Sequence, residues 1–205
     1  MAVFISIEGT DGAGKTTLIE GLKRIFKDES VLFTREPGGT KLGEKIREML
    51  LAQNDLRIDG VSEVYLFAAA RRQHVNEVIL PNLKENVTVV SDRFLDSSIA
   101  YQGAGRKLGE DLVKDINKGA VNGVEPDLTI FLDISPEVGI ERIHQGRINE
   151  INQLDNESLD FYYRVKSSYA KIIEDNPDRF FIVDAEQSEE KVLKDVVSKF
   201  RELMR

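Results

Sequence analysis

With 205 residues, the chain suits one domain spanning residues 1–205, long enough to bury about 70 % of its unfolded surface. A net charge of −8, from 28 Lys and Arg against 36 Asp and Glu, argues against a protein that grips a nucleic-acid backbone. The lack of cysteine excludes disulfides and thiolate metal sites and fits a cytoplasmic protein, and two histidines, His74 and His144, speak against a histidine zinc site. No run nears the roughly 18 apolar residues of a membrane span. The N-terminus, with Glu8 and Asp11 close behind its apolar start, does not read as a signal peptide.

In chain order, Ala2 to Ile7 reads as a buried strand, followed by a glycine-rich loop and a helical pattern of Leu18, Leu22, Ile25 and Phe26. Val31 to Thr34 is a second strand, and Leu42, Ile46, Met49 and Leu50 keep helical spacing after it. From Glu63 to Asn76 the sequence is apolar nearly all round, which predicts a buried helix. Val87 to Ser91, Leu128 to Leu132 and Phe180 to Val183 complete five strands that hardly alternate, the pattern of a parallel sheet covered on both faces. Ser135-Pro136-Glu137 and Ser188-Glu189-Glu190 mark helix starts. The polar segment His144 to Glu157 reads as a mobile loop and a candidate lid. The expected fold is therefore α/β and doubly wound: a five-stranded parallel sheet with helices on both faces.

The loop Gly9-Thr10-Asp11-Gly12-Ala13-Gly14-Lys15-Thr16 is a complete GxxxxGK[ST] element between a strand and a helix. Its glycines let backbone N–H groups face phosphate oxygens at a helix N-terminus, with Lys15 toward the β/γ-phosphates and the Thr16 hydroxyl toward Mg²⁺. Arg35-Glu36-Pro37-Gly38-Gly39-Thr40 follows the second strand and Asp92-Arg93-Phe94 ends the third, so both belong at the carboxyl edge of the sheet, where such folds bind ligands. An aspartate there suits a Mg²⁺ shell and an arginine suits phosphate. Phe67 and Arg71 share a helix face, an aromatic plane beside a guanidinium.

These elements, with Ser97 to Gln102 and Pro126-Asp127-Leu128-Thr129, stand in the order seen in the thymidylate kinases, and the chain resembles that family over nearly its whole length, as a P-loop nucleoside monophosphate kinase. The resemblance implies transfer of the ATP γ-phosphoryl group to dTMP with Mg²⁺, in a homodimer. It implies that Phe67 stacks on thymine, Arg71 reaches a base oxygen, Gln102 bonds the ring N–H, and Tyr101 crowds the sugar 2′ position. It places Arg93 and Arg35 on the acceptor phosphate, Asp11 near the sugar 3′-hydroxyl or that phosphate, and Ser98 near the monophosphate. Thr16, Asp92 and Glu36 form the implied Mg²⁺ environment, and Arg142 and the loop Asp184-Ala185-Glu186 the adenine contacts.

The family divides on whether a further arginine sits in the phosphate loop or in the lid. Asp11-Gly12-Ala13 contains none, which directs attention to the lid arginine Arg147, although Gln153 stands where many lid-arginine relatives carry another arginine, so that Arg147 acts alone or shares its work with Arg142. Another deoxynucleotide or deoxynucleoside kinase on this scaffold is the nearest alternative. A P-loop ATPase switch is the more distant one.

Overall fold

The computed structural model describes residues 2–51, 56–146 and 158–204. Five parallel strands form one sheet in the order β2-β3-β1-β4-β5: β1 Phe4–Gly9, β2 Val31–Arg35, β3 Thr88–Asp92, β4 Leu128–Asp133 and β5 Phe180–Asp184. The chain builds outward from β1 to one side, then returns and builds to the other, so the order reverses beside the central strand. Ligands of open α/β sheets bind at such a point, beyond the carboxyl ends of the strands.

Helices α1 (Lys15–Ile25) and α9 (Glu189–Leu203) cover one face, where Ile5 and Ile7 of β1 meet Leu18, Leu22, Val196 and Phe200. The alternation of a strand sends Phe4, Ser6 and Glu8 to the other face. There Phe4 packs with Val89 and Phe94, and Phe131 packs with Tyr169 of α8 (Leu159–Asp175). The remaining helices are α2 (Lys41–Leu51), α3 (Gly60–His74), α4 (Leu80–Lys84), α5 (Leu95–Ser98), α6 (Glu110–Val121) and α7 (Pro136–Gly146).

The five expected strands and the marked helix starts are present; the Ser188 hydroxyl accepts the Lys191 N–H. Two expectations change. The helix over 63–76 is not buried all round: Tyr65 is 59 % exposed, while the charged Arg71 is 1 % exposed and His74 fully enclosed. An Ala-rich run hides which face is inner, because small residues suit either side. Secondly, His144 to Gly146 belong to α7 and not to a loop; the rest of the expected lid, with Arg147, lies outside the described residues. No helix among the described residues is long and apolar enough to cross a membrane.

Candidate active site

The strand ends meet in one open cleft of about 1180 Å³ whose lining includes Asp11 to Thr16, Arg35, Glu36, Phe67, Arg71, Asp92, Arg93, Ser98, Tyr101, Gln102 and Arg142. Small-molecule pockets run to roughly 1,000 Å³, so this cleft is at the upper end of that range or beyond it. Gly9 and Thr10, also named from the sequence, are not part of that lining, and Arg147 lies outside the described residues.

Gly14 lies in the left-handed region at φ 88°, and α1 starts after it with no side-chain cap and no acid in its first turn. Its first N–H groups therefore remain available to an anion, at the positive end of the helix dipole. Lys15 Nζ folds back onto the carbonyls of Gly9 and Thr10, at 2.9 and 3.0 Å. Burial, and then the nearby Arg93 cation, bring the Lys15 ammonium down to about 8. The loop is pressed against α7: a Cβ on Gly12 would stand 2.2 Å from the Gly139 carbonyl oxygen, at a φ of +79°.

Opposite Lys15, Arg93 occupies φ 69°, a conformation that costs a non-glycine residue roughly 1 kcal/mol or more and persists only when its surroundings hold it. The Arg93 N–H donates to Ile7 O at 3.0 Å, the Ser91 hydroxyl donates to Arg93 O at 2.7 Å, and the next N–H, of Phe94, donates to Glu8 Oε1 at 2.7 Å. The guanidinium reaches Asp11 Oδ1 at 2.7 Å, Ser97 Oγ at 2.9 Å and Gly9 O at 3.2 Å. It lies 4.7 Å from the centre of the Tyr101 ring, whose hydroxyl donates to Asp11 Oδ2 at 3.0 Å.

Glu8 was not singled out by sequence reasoning, yet it is fully enclosed and accepts from Ser6, Ser97 and Tyr169 as well as from Phe94. Burial, reinforced by Asp96, pushes its carboxyl up. The available signal was an acid standing alone in an apolar strand. Arg47 was missed as well: it lines the cleft from α2 and donates to Pro37 O at 3.0 Å. Its spacing of three from Glu44 places it on the same face as the partner of Arg35; Arg35 Nη2 meets Glu44 Oε2 at 2.8 Å.

Glu36 is 4 % exposed, and its two oxygens are engaged by Arg71 Nε at 2.8 Å and His74 Nδ1 at 2.9 Å. A carboxylate shared between those groups braces the cleft wall. Asp92 differs: its Oδ1 is buried with no hydrogen-bond partner among the described residues, an uncompensated acceptor that suits a hydrated cation. Thr16 is exposed to the cleft. Among the described residues no cluster of three acids or histidines forms a metal site.

Gln102 is 2 % exposed and its amide donates to Glu63 Oε1 at 2.8 Å. It lies within a segment no propensity predicts: residues Ile99–Gly105 continue α5 as a π-helical stretch, wider than an α-turn and frequent at functional sites. Arg142 Nη1 donates to Ala185 O at 2.9 Å, tying α7 to the loop after β5.

A thymidylate kinase family model matches residues 7–196. Thymidylate kinase of Limosilactobacillus reuteri (strain DSM 20016) is 49 % identical over 197 residues, covering 94 % of this chain and 92 % of the relative. That of Geobacillus sp. (strain WCH70) is 47 % identical over 191 residues, with 92 % and 91 % covered. The crystal structure of thymidylate kinase from Ehrlichia chaffeensis superposes with a TM-score of 0.75 at 33 % identity, covering 98 % of each chain.

Proposed function

Belonging as it does to the thymidylate kinase family, the chain phosphorylates dTMP to dTDP with ATP as donor, and we propose that the cleft does so by holding the two nucleotides head to head. The observation that carries this reading is the opposition, in one cleft, of the uncapped α1 N-terminus with Lys15 to the Asp11–Arg93 pair. The first suits the donor polyphosphate and the second the acceptor phosphate.

In the reaction an oxygen of the dTMP phosphate bonds to the γ-phosphorus of ATP as the bond from that phosphorus to the β-γ bridging oxygen breaks, and ADP leaves. The second pKa of a phosphate monoester is about 6, so the attacking oxygen is anionic at neutral pH and needs no side-chain base. Alignment and charge neutralisation remain. Lys15 and the amides of Gly12 to Thr16 cradle the donor, Arg93 and Arg35 grip the acceptor phosphate, and Asp11 orients the sugar end of dTMP. Phe67 stacks on the base, Arg71 and Gln102 address its polar edge, and Tyr101 closes the space beside the sugar. Ser98 supports this side through Arg71, to which its hydroxyl is bonded at 3.0 Å.

Thr16 and Asp92 would hold Mg²⁺, which would offset the charge of the β- and γ-phosphates. Arg142 lies beside the adenine end, and the residues that follow α7, 147–157, are proposed as the lid that carries Arg147, as in lid-arginine members of the family. A second copy of the chain covers the outer sides of α2 and α3, where Leu42, Met49 and Tyr65 are exposed; sedimentation at micromolar concentration distinguishes the dimer from a monomer.

The functional reading is tested by ADP release with dTMP, dUMP, dCMP, dGMP and thymidine as acceptors. The highest kcat/KM is expected for dTMP; faster turnover of thymidine would overturn the reading in favour of a nucleoside kinase.

A further inference from the structure

Arg71 is held to an unusual degree for a residue facing a cleft. It is 1 % exposed, and four of its five N–H groups are committed: Nε to Glu36 Oε2 at 2.8 Å, Nη2 to Phe94 O at 3.2 Å and Ser98 Oγ at 3.0 Å, and Nη1 to Asn117 Oδ1. One Nη1 N–H is left.

The partners are themselves fixed. Asn117, on α6, is fully enclosed, and its amide nitrogen donates to Val113 O at 2.9 Å. That bond settles the orientation of the amide, because only the carbonyl oxygen then faces Arg71. On the other side His74 Nδ1 meets Glu36 at 2.9 Å and its Nε2 meets Thr34 Oγ1 at 2.8 Å. The chain is kept close there by Gly39, where a Cβ would lie 2.6 Å from Thr34 Oγ1 and 2.7 Å from the His74 ring. The guanidinium is therefore clamped from α6, from the Glu36 loop and from both ends of α5, and cannot turn a second N–H outward without leaving a buried acceptor unpaired.

We propose that Asn117 is a specificity-positioning residue: by occupying one Nη1 N–H of Arg71 it leaves a single fixed donor for the nucleobase. The base must then present an oxygen at that place, and an exocyclic amino group would meet donor with donor. The proposal rests on the reading of dTMP as the acceptor substrate. It adds to that reading a residue on α6 that need not touch the ligand and acts through Arg71.

The test compares kcat/KM for dTMP with that for 5-methyl-dCMP, which keeps the methyl group and replaces the 4-oxo group by an amino group. The wild type is expected to favour dTMP strongly, since a buried polar site rejects a mismatched partner. Asn117→Ala removes the acceptor, and its dTMP/5-methyl-dCMP ratio is expected to fall at least about tenfold. The fall should come mainly from a higher KM for dTMP, with kcat within about twofold. Asn117→Ser, which keeps a short hydroxyl but puts no acceptor at Arg71, is expected to do the same, and serves if the alanine variant does not fold. Asn117→Asp restores an acceptor and is expected to recover most of the ratio. An unchanged ratio in the Ala or Ser variant, or an equal loss for both substrates, would assign Asn117 to folding alone and overturn the proposal. A wild type indifferent between the two bases would overturn it too. Failure of the functional reading looks different, since the wild type would then turn over thymidine faster than dTMP whatever Asn117 does.

Discussion

Arg93 Nη2 stands 2.7 Å from Asp11 Oδ1 across 82 residues of sequence. The two side chains keep only 18 % and 12 % of their surface exposed, so the pair is partly desolvated and its charges are felt. It joins the phosphate loop to the end of β3 before any nucleotide arrives. An acceptor phosphate entering this place meets a guanidinium already turned inward, and a carboxylate that must share it.

Asp11→Asn keeps a hydrogen-bonding side chain but removes the charge, while Gly9 O and Ser97 continue to hold Arg93. Phosphate binding should survive and alignment should suffer. The expected outcome is a kcat at least about tenfold lower, roughly 1.4 kcal/mol, with the KM for dTMP changed by less than about threefold. Steady-state kinetics at saturating ATP measure both, and an intact kcat would confine Asp11 to binding.

Lys15 gives a prediction in pH. Burial and Arg93 bring it to about 8, against 10.5 for an ordinary lysine. Below pH 8 it is charged and ready for the donor phosphates; above pH 8 it is neutral in the free protein. ATP affinity should accordingly fall as pH rises from 7 to 9, and binding at pH 8 should take up about half a proton, because bound phosphate restores the charge. Calorimetry in two buffers of different ionisation enthalpy reads that uptake, and none at pH 8 would refute the assignment. The stability sign follows from the same numbers. The unfolded chain binds the Lys15 proton more tightly between pH 8 and 10.5, so the buried charge is a full penalty at pH 7 that lifts as pH rises through that window. Lys15→Met should therefore raise Tm at pH 7 by about 3 °C or more while abolishing turnover.

Glu36 and Asp92 separate bracing from cation binding. Glu36→Ala leaves Arg71 buried without its carboxylate, a loss of about 3–5 kcal/mol in urea unfolding, whereas Glu36→Gln should lose less. The Mg²⁺ midpoint for activity should stay within about twofold in Glu36→Gln and move at least about tenfold in Asp92→Asn. A larger shift for Glu36→Gln than for Asp92→Asn would return Glu36 to the metal.

The sheet was legible because both its faces are covered: strands such as Val31 to Thr34 and Leu128 to Leu132 are continuous apolar runs, and the loop between β1 and α1 has a spacing set by phosphate geometry. Asp11, Arg35, Asp92 and Arg93 belong to short local motifs at the strand ends, so their place in the cleft was legible too. The second rank was not. Glu8, His74 and Asn117 act through partners 86, 38 and 46 residues away, and no local pattern records a hydrogen bond of that span. Glu36 is of the same kind, since nothing local to Arg35-Glu36-Pro37 records that the fold brings Arg71 and His74 against it. Gly139 is a similar case: it resembles any helical glycine until a Cβ placed there proves to lie 2.9 Å from Asp11 O.

The roles proposed for Arg142 and Arg147 can be told apart by kinetics. The guanidinium of Arg142 is engaged with Ala185 O at 2.9 Å, beside the loop that follows β5, so it is committed to the adenine side and is poorly placed to meet charge on the transferring phosphoryl group. In the proposed reading that work falls to Arg147, since the phosphate loop contains no arginine. Arg147→Ala should lower kcat at least about tenfold, roughly 1.4 kcal/mol, with little change in dTMP affinity. Arg142→Ala should instead raise the KM for ATP by about fivefold or more and leave kcat within about threefold. Opposite results, with kcat lost in the Arg142 variant and retained in the Arg147 variant, would exchange the two roles; an unchanged kcat for Arg147→Ala would remove the lid arginine from the chemistry altogether.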